Sequence, residues 1–159
     1  MSLNSKLDFK WNTQPVVLKQ TQASLQQLRL QVSLNEEHVY LNISLSGEQE
    51  LDLGERSHHY CLLTLARQRL SDARRGIDVS GQGWLNRKEL AHMLGLDPSH
   101  LNIQIHRLRQ QIADALPSGM QLDEVVERRR GELRFGALPF CIVRGSSIEG
   151  EYLLPCNPV

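Results

Sequence analysis

The sequence has few cysteines and no long apolar run, and each shortage excludes a class of protein. Cys61, Cys141 and Cys156 are odd in number and have no C-x-x-C spacing. A disulfide framework needs pairs and a zinc site needs closely spaced ligands, so the pattern fits neither and points to a reducing cytoplasm. No stretch approaches the roughly 20 apolar residues of a membrane-spanning helix. Met1 to Lys10 has no basic segment followed by an apolar core, so neither a secretory signal nor a membrane partner is expected. No glycine-rich loop of the phosphate-cradling kind occurs. His58 and His59 stand at a helix start with no obvious carboxylate partner, and neither Cys61 nor Cys141 has a recognisable nucleophile context. The chain therefore reads as a binding protein, not an enzyme, without cofactor or metal.

Net charge is also missing: 18 Lys and Arg balance 18 Asp and Glu. The balance hides an uneven spread. Residues 1–55 carry four basic against seven acidic groups, a net of −3. Residues 56–135 carry thirteen against nine, a net of +4, and residues 136–159 one against two, a net of −1. A local basic surface matters more for phosphate binding than the total does. Hydrophobic residues, at 40% of 159, are enough to bury a core of ordinary domain size.

The hydrophobic period divides the chain into three parts: antiparallel strands over 1–55, a helical unit over 56–135, and a strand with an irregular tail over 136–159. Leu7 to Trp11 and Val16 to Leu18 read as short strands around Pro15, and Gln20 to Gln27 as a loop or helical turn. Leu28, Leu30, Val32 and Leu34 alternate with polar residues, as do Val39, Leu41, Ile43 and Leu45, which predicts a half-buried hairpin. Leu51 and Leu53 suggest a third strand stopping at Gly54. The period then changes. Leu62, Leu63, Ala66, Leu70 and Ala73 mark a helix from Ser57, as cap, to Arg75, closed by Gly76. Trp84-Leu85 reads as a short strand. Asn86 and Glu89 have capping-box spacing and open a helix from Asn86 to Leu94. Asp97-Pro98 opens a third, from Pro98 to Leu116, burying Leu101, Ile105, Leu108, Ile112 and Ala115. A hairpin follows over Asp123 to Phe135, turning at Arg130-Gly131.

The fold class expected is α+β, a winged helix-turn-helix with an N-terminal antiparallel sheet and a C-terminal wing hairpin. Gly95-Leu96-Asp97 carries this expectation: a three-residue turn makes two amphipathic helices cross steeply and pushes the second outward, where it can enter a major groove.

Particular strings resemble the DNA-binding effector domains of OmpR/PhoB-type response regulators. Leu101-Asn102-Ile103-Gln104-Ile105-His106-Arg107-Leu108-Arg109 is similar to that family's recognition-helix pattern of V-D-V-H-I-x-R-L-R type. Leu51-Asp52-Leu53 followed by His59-Tyr60-Cys61-Leu62-Leu63, Asn86 to Ala91, Val126-Glu127 and Arg130-Gly131 resemble further elements. The resemblance covers about Leu28 to Phe135 and implies a bacterial, cytoplasmic regulator of transcription. Three features depart from it. The 27 residues before the match cannot hold a receiver domain, the three-residue turn replaces the family's long polymerase-contacting loop, and Glu132-Leu133 stands where the wing has a second glycine.

Geometry selects the residues that would read DNA. At about 100° per residue, the face opposite Leu101, Ile105 and Ile112 presents Ser99, Ile103, Arg107 and Gln110, flanked by His100, His106 and Asp114. Arginine pairs with guanine, glutamine with adenine, and isoleucine touches the thymine methyl. Arg128, Arg129, Arg130 and Arg134 of the hairpin are candidates for phosphate. The blander alternatives are a solvated polar face and a solvated hairpin neutralised by Asp123, Glu124 and Glu127. Arg109 and Asn102 lie nearer the core edge and suit structural roles.

Double-stranded DNA bound by a homodimer is thus the first expectation, with helix 98–116 in the groove and hairpin 123–135 as wing. A winged-helix protein-interaction module of a signalling system, with a protein partner and no DNA binding, is the alternative. A third reading is an EF-hand-like calcium loop. Asp78, Ser80, Gln82, Gly83, Leu85, Asn86 and Glu89 occupy positions 1, 3, 5, 6, 8, 9 and 12 of such a loop. Against it, only two of these residues are carboxylates, Arg74 replaces an apolar helix residue, and no second loop exists to pair with it.

Overall fold

The computed structural model describes residues 23–154. The predicted strands at Leu7 to Trp11 and Val16 to Leu18 lie outside them, as does Cys156. Three strands open the described chain: β1 (Leu25–Val32), β2 (Val39–Leu45) and β3 (Gln49–Glu55). Their alternation is the one expected of a sheet with one covered face. Leu28, Leu30, Val32, Val39, Leu41, Ile43 and Leu45 are buried, and their polar neighbours point away. Leu25 to Gln27, read as loop or turn, belong to β1 and pair with β2.

Helix α1 (His59–Arg74) follows, then the two-residue β4 (Leu85–Asn86), α2 (Arg87–Met93) and α3 (Pro98–Ala115). The expected cap of α1 is corrected. The helix starts two residues later than read, and its N-cap is His58, which makes no side-chain cap bond. The other two caps form as expected. Asn86 accepts from the amides of Lys88 and Glu89, and Asp97 from that of His100. α1 packs on β2 of one sheet and β6 of the other. That double packing buries Leu65 as well as Leu62, Leu63, Ala66 and Leu70, more than a single stripe provides.

The hairpin is β5 (Val126–Arg129) and β6 (Glu132–Phe135), which forms a three-stranded sheet of order β4-β6-β5. Beyond it the structure differs from the expected strand and tail. β7 (Phe140–Arg144) and β8 (Ser147–Tyr152) form a second hairpin. A register shift between Ile142 and Val143 breaks the alternation of β8, so no period of two marks it in the sequence. β7 inserts beside β1 in parallel, with Leu28 opposite Phe140 and Leu30 opposite Ile142. The first sheet is therefore mixed and five-stranded, of order β3-β2-β1-β7-β8, and not the antiparallel sheet expected. The class is α+β, with three helices and two sheets among the described residues.

Candidate nucleic-acid interface

The turn before α3 is built by backbone needs. Gly95 takes φ +68°, a left-handed conformation that closes α2, and the Leu96 amide reaches back to the Ala91 carbonyl at 2.8 Å. Asp97 then stops the next helix from fraying. Its Oδ1 accepts from the His100 amide at 2.8 Å and the Ser99 hydroxyl at 2.7 Å, and its Oδ2 lies 2.9 Å from His100 Nδ1. These bonds, led by the Ser99 hydroxyl, hold the Asp97 carboxyl down at about 2. Ser99 and His100 are exposed as expected, yet both are engaged by the cap.

The face assignment of α3 agrees with the burial. Leu101, Ile105, Leu108 and Ile112 are buried, whereas Ile103 is 43% exposed and His106, Arg107 and Gln110 face solvent. Ala115 is only partly covered. Gln110 donates to Asp114 along the helix at 3.0 Å. Arg109 is half-buried and donates to the Val126 carbonyl at 2.7 Å, which confirms its structural position. Burial, reinforced by Arg128, lowers its pKa against the pull of Glu124.

The four hairpin arginines separate into two kinds. Arg128 and Arg130 are exposed and, among the described residues, form no ion pair. Arg129 is exposed but partnered: it donates to Glu132 at 2.7 Å and lies 4.1 Å over the Trp84 ring. Arg134 is a correction. It is 8% exposed, so it is not free to hold phosphate. Its guanidinium donates to the carbonyls of Val79, Ser80 and Gln82, pairs with Glu127 at 3.1 Å and lies 4.4 Å from the centroid of the Trp84 ring.

The same contacts argue against the calcium loop. Three of its carbonyls already surround a guanidinium, and Gln82 is spent between the Ile77 carbonyl and the Tyr152 hydroxyl. Among the described residues no cluster of three or more His, Cys, Asp or Glu is gathered for a metal. Cys61 and Cys141 are free and buried, and burial pushes the Cys61 thiol up to about 12, which leaves it a packing residue.

Arg87 brings the helix face and the hairpin together. Its amide donates to the Gly131 carbonyl at the hairpin turn, 3.0 Å away, and its guanidinium donates to Asn102 on α3. The exposed Lys88 follows it. The sequence pattern places Arg87 and Lys88 in the string that resembles a second-helix start but does not mark them as DNA contacts. Their position directly after a cap, at the head of a helix adjoining a basic hairpin, was the available signal. Asn102 of α3 is thus tied through Arg87 to the hairpin turn at Gly131, and Arg109 ties the same helix to β5. No family model, curated protein or solved structure matches the chain. Among the described residues no helix is long and apolar enough to cross a membrane.

Proposed function

We propose that this chain is a non-catalytic, winged-helix DNA-binding protein. α3 enters the major groove of a duplex, and the β5–β6 hairpin is the wing that grips its backbone. The observation that carries this reading is the pair of hydrogen bonds that Arg87 donates, from its amide to the Gly131 carbonyl and from its guanidinium to Asn102. Those two bonds tie α3 to a hairpin tip whose Arg128 and Arg130 form no ion pair among the described residues, and the reading takes the exposed face of α3 and that tip as one surface. Arg107, with Ile103 and Gln110 beside it, reads base edges, while Arg128, Arg130 and Lys88 neutralise phosphates. Arg134 has no part in it, and Arg129 contributes only what Glu132 leaves uncompensated. Regulation of transcription follows as the role of such a protein.

A random duplex titrated with the full chain tests the proposal. Phosphate contacts make binding strongest at low salt, so a shift at about 50 mM that fades towards about 200 mM is expected. A chain that shifts no duplex at the lower concentration ends the DNA reading. The second reading, a protein-interaction module, is favoured by the exposure of two large apolar side chains, Ile103 at 43% and Met93 at 54%. It predicts no salt-dependent duplex binding, and loss of a protein complex on Ile103→Asp.

A further inference from the structure

A cavity of about 290 Å³ opens between the first half of α1 and the turn that joins α2 to α3. Residues three and four apart share one face of a helix, so Tyr60, Cys61 and Thr64 of α1 reach it together. Met93 and Leu96 face them from the end of α2 and the turn, and Gln104 lines the cavity from α3. No charged residue lines it, and burial keeps the Cys61 thiol neutral. Gln104 Oε1 is buried and has no hydrogen-bond partner; among the described residues the other such side-chain atoms both belong to Arg69. An amide oxygen removed from water and given no donor costs free energy, so it marks a place where a donor belongs. The half-buried hydroxyls in the same wall do not supply one. That of Tyr60 donates to the Glu36 carbonyl and that of Thr64 to the Tyr60 carbonyl at 2.9 Å, so both are left only to accept. The cavities of about 440 and about 680 Å³ beside Met120 are larger, but both are lined by Asp123 and by no residue with such an unpartnered atom.

We propose that this cavity binds a small, neutral aromatic molecule whose N–H or O–H group donates to Gln104 Oε1. The ligand is neutral because the lining offers no counter-charge to a buried ion. It is aromatic because Cys61 and Met93 bring sulfur to the wall, and the methionine thioether packs favourably against ring edges, with Leu96 adding apolar surface. It is small because the volume lies at the low end of ligand pockets. Its donor completes the one polar group that the fold leaves open here. The site shares no residue with the proposed duplex contacts, so it stands or falls independently of the DNA reading. An occupant touches α1, the turn and α3 at once, and its binding stabilises the folded chain by linkage.

Indole and indene test the site, because they share a shape and differ in the N–H donor. The methionines of the full chain are Met1, Met93 and Met120. Met93 lines this cavity and Met120 lines the two larger ones, so their methyl NMR signals report which cavity fills. Indole at millimolar concentration should shift the Met93 methyl and the Gln104 side-chain amide saturably and leave the Met120 methyl in place. Indene should bind about tenfold more weakly, the loss of one buried hydrogen bond. Gln104→Met keeps the length of the side chain and removes the amide, and should abolish the difference between the two probes. Indole that moves no Met93 signal, or moves that of Met120 instead, overturns the site. Equal affinities of indole and indene for the wild type overturn the bond to Gln104, even if Gln104→Met does not fold. A preference for indole that survives in a folded Gln104→Met overturns it as well, since the donor then has another partner.

Discussion

Nη1 of Arg134 lies 2.9 Å from the carbonyl oxygen of Val79, a residue 55 positions earlier in the chain. That bond, with those to Ser80, Gln82 and Glu127, fastens the loop before β4 onto the back of the hairpin. Arg134→Ala takes this donor from the carbonyls of Val79 and Gln82, leaves Ser80 with Trp84 alone, and leaves Glu127 with the more distant Arg69 as its cation. The expected loss is about 2–3 kcal/mol, below the 3–5 of a fully buried pair because Glu127 stays partly solvated. Urea unfolding measures it, and a loss under about 0.5 kcal/mol, ordinary for a surface site, would contradict the clamp on the loop.

Arg107 and Arg130 should separate reading from gripping. Arg107→Ala is expected to cost about 1–3 kcal/mol on a preferred duplex and to relax discrimination at one base pair. Arg130→Ala should weaken all duplexes alike and reduce the magnitude of the salt slope by about one. Both side chains are exposed, so neither change should lower the melting temperature much. Selection from a random duplex pool, with salt titrations, distinguishes the two outcomes from uniform loss in both.

Two left-handed glycines should respond differently to alanine. Gly83 takes φ +80°, and a Cβ there would meet the Cβ of Arg69 at 2.9 Å and its Cα at 3.1 Å. Gly95 takes φ +68° with nothing within 4 Å. Gly95→Ala should therefore cost only the backbone term of about 1–2 kcal/mol. Gly83→Ala adds an overlap worth about 1–3 kcal/mol, because the buried Arg69 is held at the Phe135 carbonyl and has little room to retreat. Equal costs in urea would mean that α1 gives way at Arg69.

Asp97 should make the start of α3 acid-sensitive. Its folded carboxyl titrates at about 2, below the ordinary 3.8, chiefly through the Ser99 hydroxyl and the His100 amide. A depressed carboxylate contributes stability above the unfolded value and loses it as pH falls from about 4 towards 2. Asp97→Ala should lower the melting temperature at pH 7 and narrow the gap to wild type below about pH 3, where the native carboxylate is protonating too. A gap that stays constant over that range would show that the cap does not act through its charge.

Most elements, and the faces they bury, are legible from local patterns in the chain. Alternation in β1 and β2, the 3.6-residue spacing of Leu101, Ile105, Leu108 and Ile112, and the caps Asn86 and Asp97 are local signals, each settled within a few residues by backbone geometry and burial. What lies across from them is set by long-range packing. Arg128 to Arg134 reads as one basic hairpin, yet Arg134 is buried because a loop some 50 residues away covers the face it points to, and no period in β6 announces that loop. β8 escaped notice because a register shift interrupts its alternation, and the parallel pairing of β1 with β7 joins segments that no short-range pattern relates. His58 was read near a cap, but its ring turned instead to Gln111 on α3, a choice made by burial and by the positions of two distant carbonyls. Periodicity reports which way a side chain faces its own element. Which partner it meets depends on non-local packing, whose energy is spread over residues far apart in the chain.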